Sequence, residues 1–128
     1  VNDRLRQKGL RLTPQRIELL KVLEEKGSQH PSFSEVYHEV RERLPTLSQS
    51  TILKNMIVFE ELGIVQSFSF KGETHYELNP SLHVNFVDSN GKIVDIESEE
   101  IEGLLKQLIS LIRKQTGDSI ENLLVMIE

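Results

Sequence analysis

Cysteine is absent from this chain of 128 residues. That absence excludes disulfides, thiolate metal sites and cysteine nucleophiles together. Long apolar runs are missing too. No stretch reaches the about 18 residues that a membrane-crossing helix needs, so no membrane partner is expected. The first residues, Val1-Asn2-Asp3-Arg4-Leu5-Arg6, lack the apolar run of a secretory signal, and a cytoplasmic location is expected. There is no glycine-rich phosphate cradle and no paired nucleophile and base, and the four histidines stand in dissimilar contexts. An enzyme is therefore not expected. Repeats and low-complexity tracts are lacking as well. What remains is a chain with 38% hydrophobic residues and well-mixed charge, enough for a core and long enough for one domain or two small ones.

Basic charge is scarce overall, with 15 Lys plus Arg against 20 Asp plus Glu, but it is unevenly placed. Residues 1–79 carry 11 basic and 11 acidic groups, whereas residues 80–128 carry 4 and 9. In the first sixteen residues Arg4, Arg6, Lys8, Arg11 and Arg16 face only Asp3. One end of the chain is thus suited to meet phosphate.

The hydrophobic period divides the chain. Residues 3–8 read as a short helix ending at Gly9. Thr13-Pro14 opens a helix, with Thr as cap and Pro at the first helical position. Ile17, Leu20 and Leu23, flanked by Leu19, form its stripe, and Lys26-Gly27 closes it. His30-Pro31 is expected to be extended, because a residue before proline avoids the helical region. Ser34 is expected to cap a second helix with Val36, Tyr37, Val40 and Leu44 on one side, and Pro45 to end it. A third helix runs from Ser48 to about Leu62, with Ile52, Met56, Phe59 and Leu62 inward, and Gly63 stops it. Alternation in residues 64–70 and 74–78 around Lys71-Gly72 predicts a β-hairpin. Asn79-Pro80-Ser81 is the candidate linker. A second hairpin is expected around Asn90-Gly91, from His83 to Asp88 and from Ile93 to Ile96. Ser98 caps a helix to about Gln115, ended by Thr116-Gly117, and residues 120–127 read as a last strand.

This order predicts an α+β fold: an N-terminal winged helix-turn-helix domain over residues 1–79, then a small αβ dimerisation domain over residues 80–128. In such a unit the helix after the turn can enter a major groove. Its outer face is expected to show Thr51, Lys54, Asn55 and Val58. Gln49 and Ser50 lie at the helix start, where backbone amides meet phosphate. Thr51 and Asn55 are candidates for base edges, and Lys54 for guanine or phosphate. Arg11, Arg16 and the wing-tip Lys71 are candidates for the DNA backbone.

Several runs are more specific than this topology. They are Gly9-Leu10-Arg11-Leu12-Thr13-Pro14-Gln15-Arg16, His30-Pro31-Ser32, the stretch from Ser48 to Asn55, the stretch from Phe59 to Val65, and Asn90-Gly91-Lys92-Ile93-Val94-Asp95. Together they resemble the ferric uptake regulator family, especially its peroxide-sensing branch, over nearly the whole chain. The resemblance implies a dimeric, metal-responsive transcription factor. Where the family has a tyrosine in the recognition helix, this chain has Leu53. Where it has the first cysteine pair of a structural zinc site, the chain has Val87 and Asn90, so no cysteine zinc site is expected and Val87 is the expected apolar replacement. The regulatory metal ligands implied are His30, Glu77, His83 and Asp95, a set able to take zinc, manganese or iron(II), one ion per subunit. Such an ion would fix the angle between the two DNA-binding domains. The plainer alternative has His30 packed near Pro31, His75 on the wing surface and Asp95 solvated. A two-residue Asn90-Gly91 loop would pair Phe86 with Asp95. His83 and Asp95 would then lie on opposite faces, and a bulge or bend near Asn85 would be needed to join them.

The helix after Ser98 carries Ile101, Leu104, Leu105, Leu108, Ile109, Leu111 and Ile112, a stripe wider than one sheet face requires. With an apolar last strand, so small a unit needs a partner surface, and a homodimer is the simplest. Two recognition helices then imply double-stranded DNA with an inverted repeat. A second reading stays open: a winged-helix protein-interaction module that has lost metal sensing and DNA binding.

Overall fold

The computed structural model describes residues 9–128. The expected helix at residues 3–8, with Arg4, Arg6 and Lys8, lies outside the described residues. The chain divides into two compact units between Asn79 and Pro80.

The first unit opens with α1, Pro14–Lys26, whose Thr13 side chain accepts from the Arg16 amide. A 3-10 turn, Gly27–Gln29, follows. Helix α2, Phe33–Arg43, is capped by Ser32 and not Ser34, through a capping box in which Ser32 and Glu35 each accept the other's backbone N–H. The box satisfies two amides that the helix itself leaves open, which Ser34 cannot do from inside the first turn. Helix α3, Gln49–Glu61, starts at the Ser48 cap and stops before Gly63. Strands β1, Gln66–Phe70, and β2, Glu73–Glu77, pair antiparallel. Lys71 and Gly72 both take positive φ, 50° and 79°, the geometry of the tightest hairpin turn. Leu19, Leu20, Val22 and Leu23 of α1, Val36 and Val40 of α2, and Ile52, Met56 and Phe59 of α3 form one buried cluster with Ile64, Val65 and Tyr76. Three helices and a wing thus close on one core.

His30 departs from expectation. It is left-handed, φ 52° and ψ 58°, and not extended. Cross-strand bonds hold it there: the Tyr76 amide donates to the Pro31 carbonyl at 2.9 Å, and Ser32 bridges to His75. The tertiary pairing overrides the local preference of the residue before proline.

The second unit holds β3, Val84–Val87, β4, Ile93–Ile96, the helix α4, Glu99–Thr116, and β5, Met126–Ile127. The sheet order is β4-β3-β5, with β5 parallel to β3. The last strand is much shorter than the expected 120–127, because β3 has four residues and only Asn85 and Phe86 pair with it. The hairpin also differs by one residue. Asn85 pairs with Asp95 and Val87 with Ile93, and the Asp88 amide donates to the Lys92 carbonyl, so three residues, not two, form the loop tip. The reason is Asp88, whose Oδ1 accepts from the amides of Asn90 and Lys92 at 2.9 and 3.0 Å. This side-chain-closed turn fixes the tip.

Candidate functional site

The one-residue change of register decides the chemistry of the second unit. Strand side chains alternate with period two, so a single-residue slip exchanges the faces. Asp95 opposes Asn85, and His83 shares that face. The expected bulge is unnecessary: His83 Nε2 lies 3.5 Å from Asp95 Oδ1, with the imidazole buried and the carboxylate half-buried. His83 Nδ1 donates to the Ser81 carbonyl at 2.6 Å, since a carbonyl can only accept. That bond fixes the ring and turns Nε2 toward Asp95.

The first unit repeats the motif. His30 Nε2 lies 3.5 Å from Glu77 Oε2, and both side chains are 1% exposed. His30 reaches this position through its left-handed backbone, and Glu77 is the last residue of β2. His75, expected as a wing surface residue, is half-buried; its Nδ1 donates to the His30 carbonyl at 2.8 Å. Its ring stacks on Phe68, 5.8 Å between centroids and 15° between planes, and meets Phe70 edge-on. Sequence reasoning gave His75 no task; its alternation with Glu77 on β2 was the available signal. Two imidazoles and two carboxylates are donor types that divalent zinc, manganese and iron accept, and their burial within each unit suits ligands more than solvated charges.

Helix α3 carries the other candidate surface. Gln49, Ser50 and Lys54 are exposed, as are Arg11 and Lys71. The first turn of α3 holds no acidic residue. Thr51 and Asn55 lie on the flank, half-buried, and not on the outermost line. With Ile52, Met56 and Phe59 inward, a turn of about 3.6 residues points Lys54 and Ile57 outward and Asn55 sideways toward α1. Leu53 and Ile57 are accordingly exposed, at 43% and 46%, while Val58 is half-buried. Asn55 Oδ1 accepts from Arg16 Nε at 3.0 Å and its Nδ2 donates to the Thr51 carbonyl at 3.0 Å. Arg16 Nη1 donates to the Arg11 carbonyl at 2.9 Å. Asn55 thus aims the Arg16 guanidinium. Thr51 Oγ1 sits 2.8 Å from the Ser48 hydroxyl. Lys71 lies over the Phe70 ring at the wing tip, 5.3 Å from its centroid.

A helix-turn-helix with a β-wing, followed by a small α+β unit, each bearing a histidine–carboxylate pair with a buried imidazole, defines the class of winged-helix metal-responsive regulators. The family model described as "Ferric uptake regulator family" matches residues 7–121. A ferric uptake regulation protein homolog of Archaeoglobus fulgidus is 39% identical over 105 residues, covering 82% of this chain and 81% of that protein. The peroxide-responsive repressor PerR of Staphylococcus aureus is 33% identical over 109 residues, 81% of this chain and 73% of its own. Among solved structures, the ferric uptake regulator of Pseudomonas aeruginosa with manganese superposes with TM-score 0.72 at 26% identity, covering 99% of this chain and 96% of that one. A zinc-bound manganese uptake regulator gives TM-score 0.70 at 25% identity, covering 98% and 96%.

The chain belongs to the ferric uptake regulator family. Its α+β fold and its place among metal-responsive transcriptional regulators, which are not enzymes, follow from that membership. No helix among the described residues is long and apolar enough to cross a membrane.

Proposed function

We propose that this chain is a homodimeric repressor that binds an inverted-repeat DNA site and is gated by one divalent metal per subunit. His30, Glu77, His83 and Asp95 are the proposed ligands. The observation that carries this reading is the His83–Asp95 pair. With Nδ1 donating to the Ser81 carbonyl, Nε2 is the ring nitrogen turned toward a carboxylate 3.5 Å away. Such a geometry calls for a positive charge at Nε2, which a proton or a metal ion supplies. The His30–Glu77 pair offers the same donors. Relatives solved with zinc or manganese are consistent with this chemistry.

DNA recognition is assigned to α3, with Gln49, Ser50, Thr51 and Lys54 toward the groove, Asn55 positioning Arg16, and Arg11, Arg16 and Lys71 on phosphates. The first unit, residues 1–79, is the DNA-binding domain, and residues 80–128 the dimerisation domain. The dimer reading rests on α4. Leu105 is buried, whereas Leu104, Leu108 and Leu111 form a second, outward line at helical spacing, exposed at 61%, 40% and 57%.

The test is a mobility shift on inverted-repeat duplexes selected from a random pool, with and without added manganese, zinc or iron(II). Metal-dependent, salt-sensitive retardation is expected, and Lys54→Ala is expected to weaken binding at every sequence. Absence of any shift at low salt would favour the second reading, a protein-interaction module, for which the exposed Leu53 and Ile57 supply an apolar surface.

A further inference from the structure

Arg41 lies in the last turn of α2, and its side chain reaches across to the next element. Its Nη1 donates to the Tyr37 hydroxyl at 2.9 Å and to the Leu47 carbonyl at 3.4 Å. Its guanidinium carbon sits over the Tyr37 ring, 5.5 Å from the centroid. Leu47 is the residue before Ser48, the cap of α3. A cation is therefore pinned at the turn of the helix-turn-helix, beside the start of the helix assigned to the groove.

A guanidinium carries five N–H donors in a planar fork. Those of Nη1 go to Tyr37 and Leu47. Among the described residues Nε and Nη2 make no hydrogen bond, and no carboxylate pairs with the fork. Arg43, in the same turn of helix, is by contrast bound by Glu18 and Glu25. The acidic residues of α2 are kept away from Arg41. At about 3.6 residues per turn, Glu35, Glu39 and Glu42 fall on the opposite flank, where they line a groove with His38 and Lys26. A helix C-terminus favours a cation in its last turn, but Arg43 already supplies one. The helix end does not call for a second guanidinium that is held in place, has open donors and lacks a carboxylate.

We infer that Arg41 is a DNA-backbone ligand: its open Nε and Nη2 bind a phosphate beside the groove that α3 enters, while Tyr37 and the Leu47 carbonyl hold the fork ready. This rests on the proposed DNA-binding reading and adds a contact from α2, outside the residues assigned there. Two N–H groups of one fork match two oxygens of one phosphate. A side chain ordered before DNA arrives loses less rotamer freedom on contact. Such a contact sets affinity and register and carries no base information.

The experiment measures duplex binding by the purified full chain with manganese present, by fluorescence anisotropy, between about 50 and 200 mM salt. The probes are the selected inverted-repeat duplex and a scrambled one. Arg41→Gln keeps a donor for the Leu47 carbonyl and removes the charge. It is expected to weaken binding to both duplexes alike, by about fivefold or more, and to reduce the slope of log affinity against log salt by about 0.9 per subunit bound. Arg41→Lys keeps the charge and is expected to keep the slope. A strut between α2 and the turn would change the melting temperature of Arg41→Gln and leave the salt slope unmoved. An unchanged slope in folded Arg41→Gln overturns the inference. Should that variant not fold, Tyr37→Phe decides, since it leaves the charge and removes one acceptor. It is expected to weaken binding about twofold to threefold, and unchanged affinity overturns the inference. A wild type that binds neither duplex at low salt overturns the DNA-binding reading itself, and this inference with it. Weakened binding in Lys54→Ala without any loss in Arg41→Gln overturns this inference alone.

Discussion

The two units of this chain solve the problem of burial differently. The first takes Leu19, Leu23, Val36, Val40, Ile52, Met56 and Phe59 to 1% exposure or less. The second buries Val84, Ile93 and Leu105 but leaves Leu104, Leu111, Leu124 and Ile127 exposed at 48% or more. Three helices can enclose a core from several sides, whereas a single helix and a small three-stranded sheet offer too little surface to do so. The lesson is that the first unit closes its core within one chain, whereas the second leaves apolar side chains exposed that the proposed dimer would cover. Function divides the same way under the proposed reading: a self-sufficient reading head, and a half-finished platform that needs its twin.

The largest expected effect tests completeness of the first unit. Phe59→Ala should cost about 3–5 kcal/mol in urea unfolding, because the ring has no solvent to relax into. A cost below about 1 kcal/mol would show that the core is not closed.

Next comes alkaline stability. Burial of Tyr76, with Glu60 adding to it, pushes its phenol up to about 12. The unfolded chain ionises near pH 10 while the folded one keeps its proton. Stability should therefore be level below about pH 10 and fall between about 10 and 12, by roughly 2–3 kcal/mol. Tyr76→Phe should abolish that slope in a pH series of melts.

In the second unit the expected effect is on association. Leu111→Asp should weaken self-association by about tenfold or more in sedimentation equilibrium, equivalent to about 1.4 kcal/mol. A monomeric wild type, or an unaffected variant, would break the contrast between the units.

Ser32→Ala should remove one half of the capping box and cost about 1 kcal/mol. Smallest of all, Leu104→Ala should change the thermal stability of the dissociated chain by under about 0.5 kcal/mol, since it is exposed at 61%.

The residues of the candidate sites differ in how legible they were. Helix starts at Thr13, Ser48 and Ser98 could be read directly, because a hydroxyl capping an amide two or three residues on is a local bond. The inward lines of α2 and α3 followed from period, whereas in α1 the fully buried Val22 was not in the expected stripe and Ile17, which was, is half-buried. The cap of α2 was misplaced between two nearby serines, and only Glu35 reaching back to Ser32 separates them. The position of Asn55 on the flank of α3 follows from a helical wheel. Its bond to Arg16, thirty-nine residues away, does not.

By itself the sequence determined the kinds of elements, their order, the absence of thiolate chemistry and the residue types available as donors. These depend on side-chain period, caps and turns, which act over a few neighbours. The tertiary structure alone decided which donors meet. Asp88 gripping two amides of its own loop moved the hairpin by one residue, and in a strand one residue is the difference between opposite faces and the same face. Pairing of β2 with the segment around Pro31 held His30 in a left-handed backbone against its local preference, and so set its ring beside Glu77. Register and long-range pairing are settled by the whole sheet, and no short window of sequence contains them.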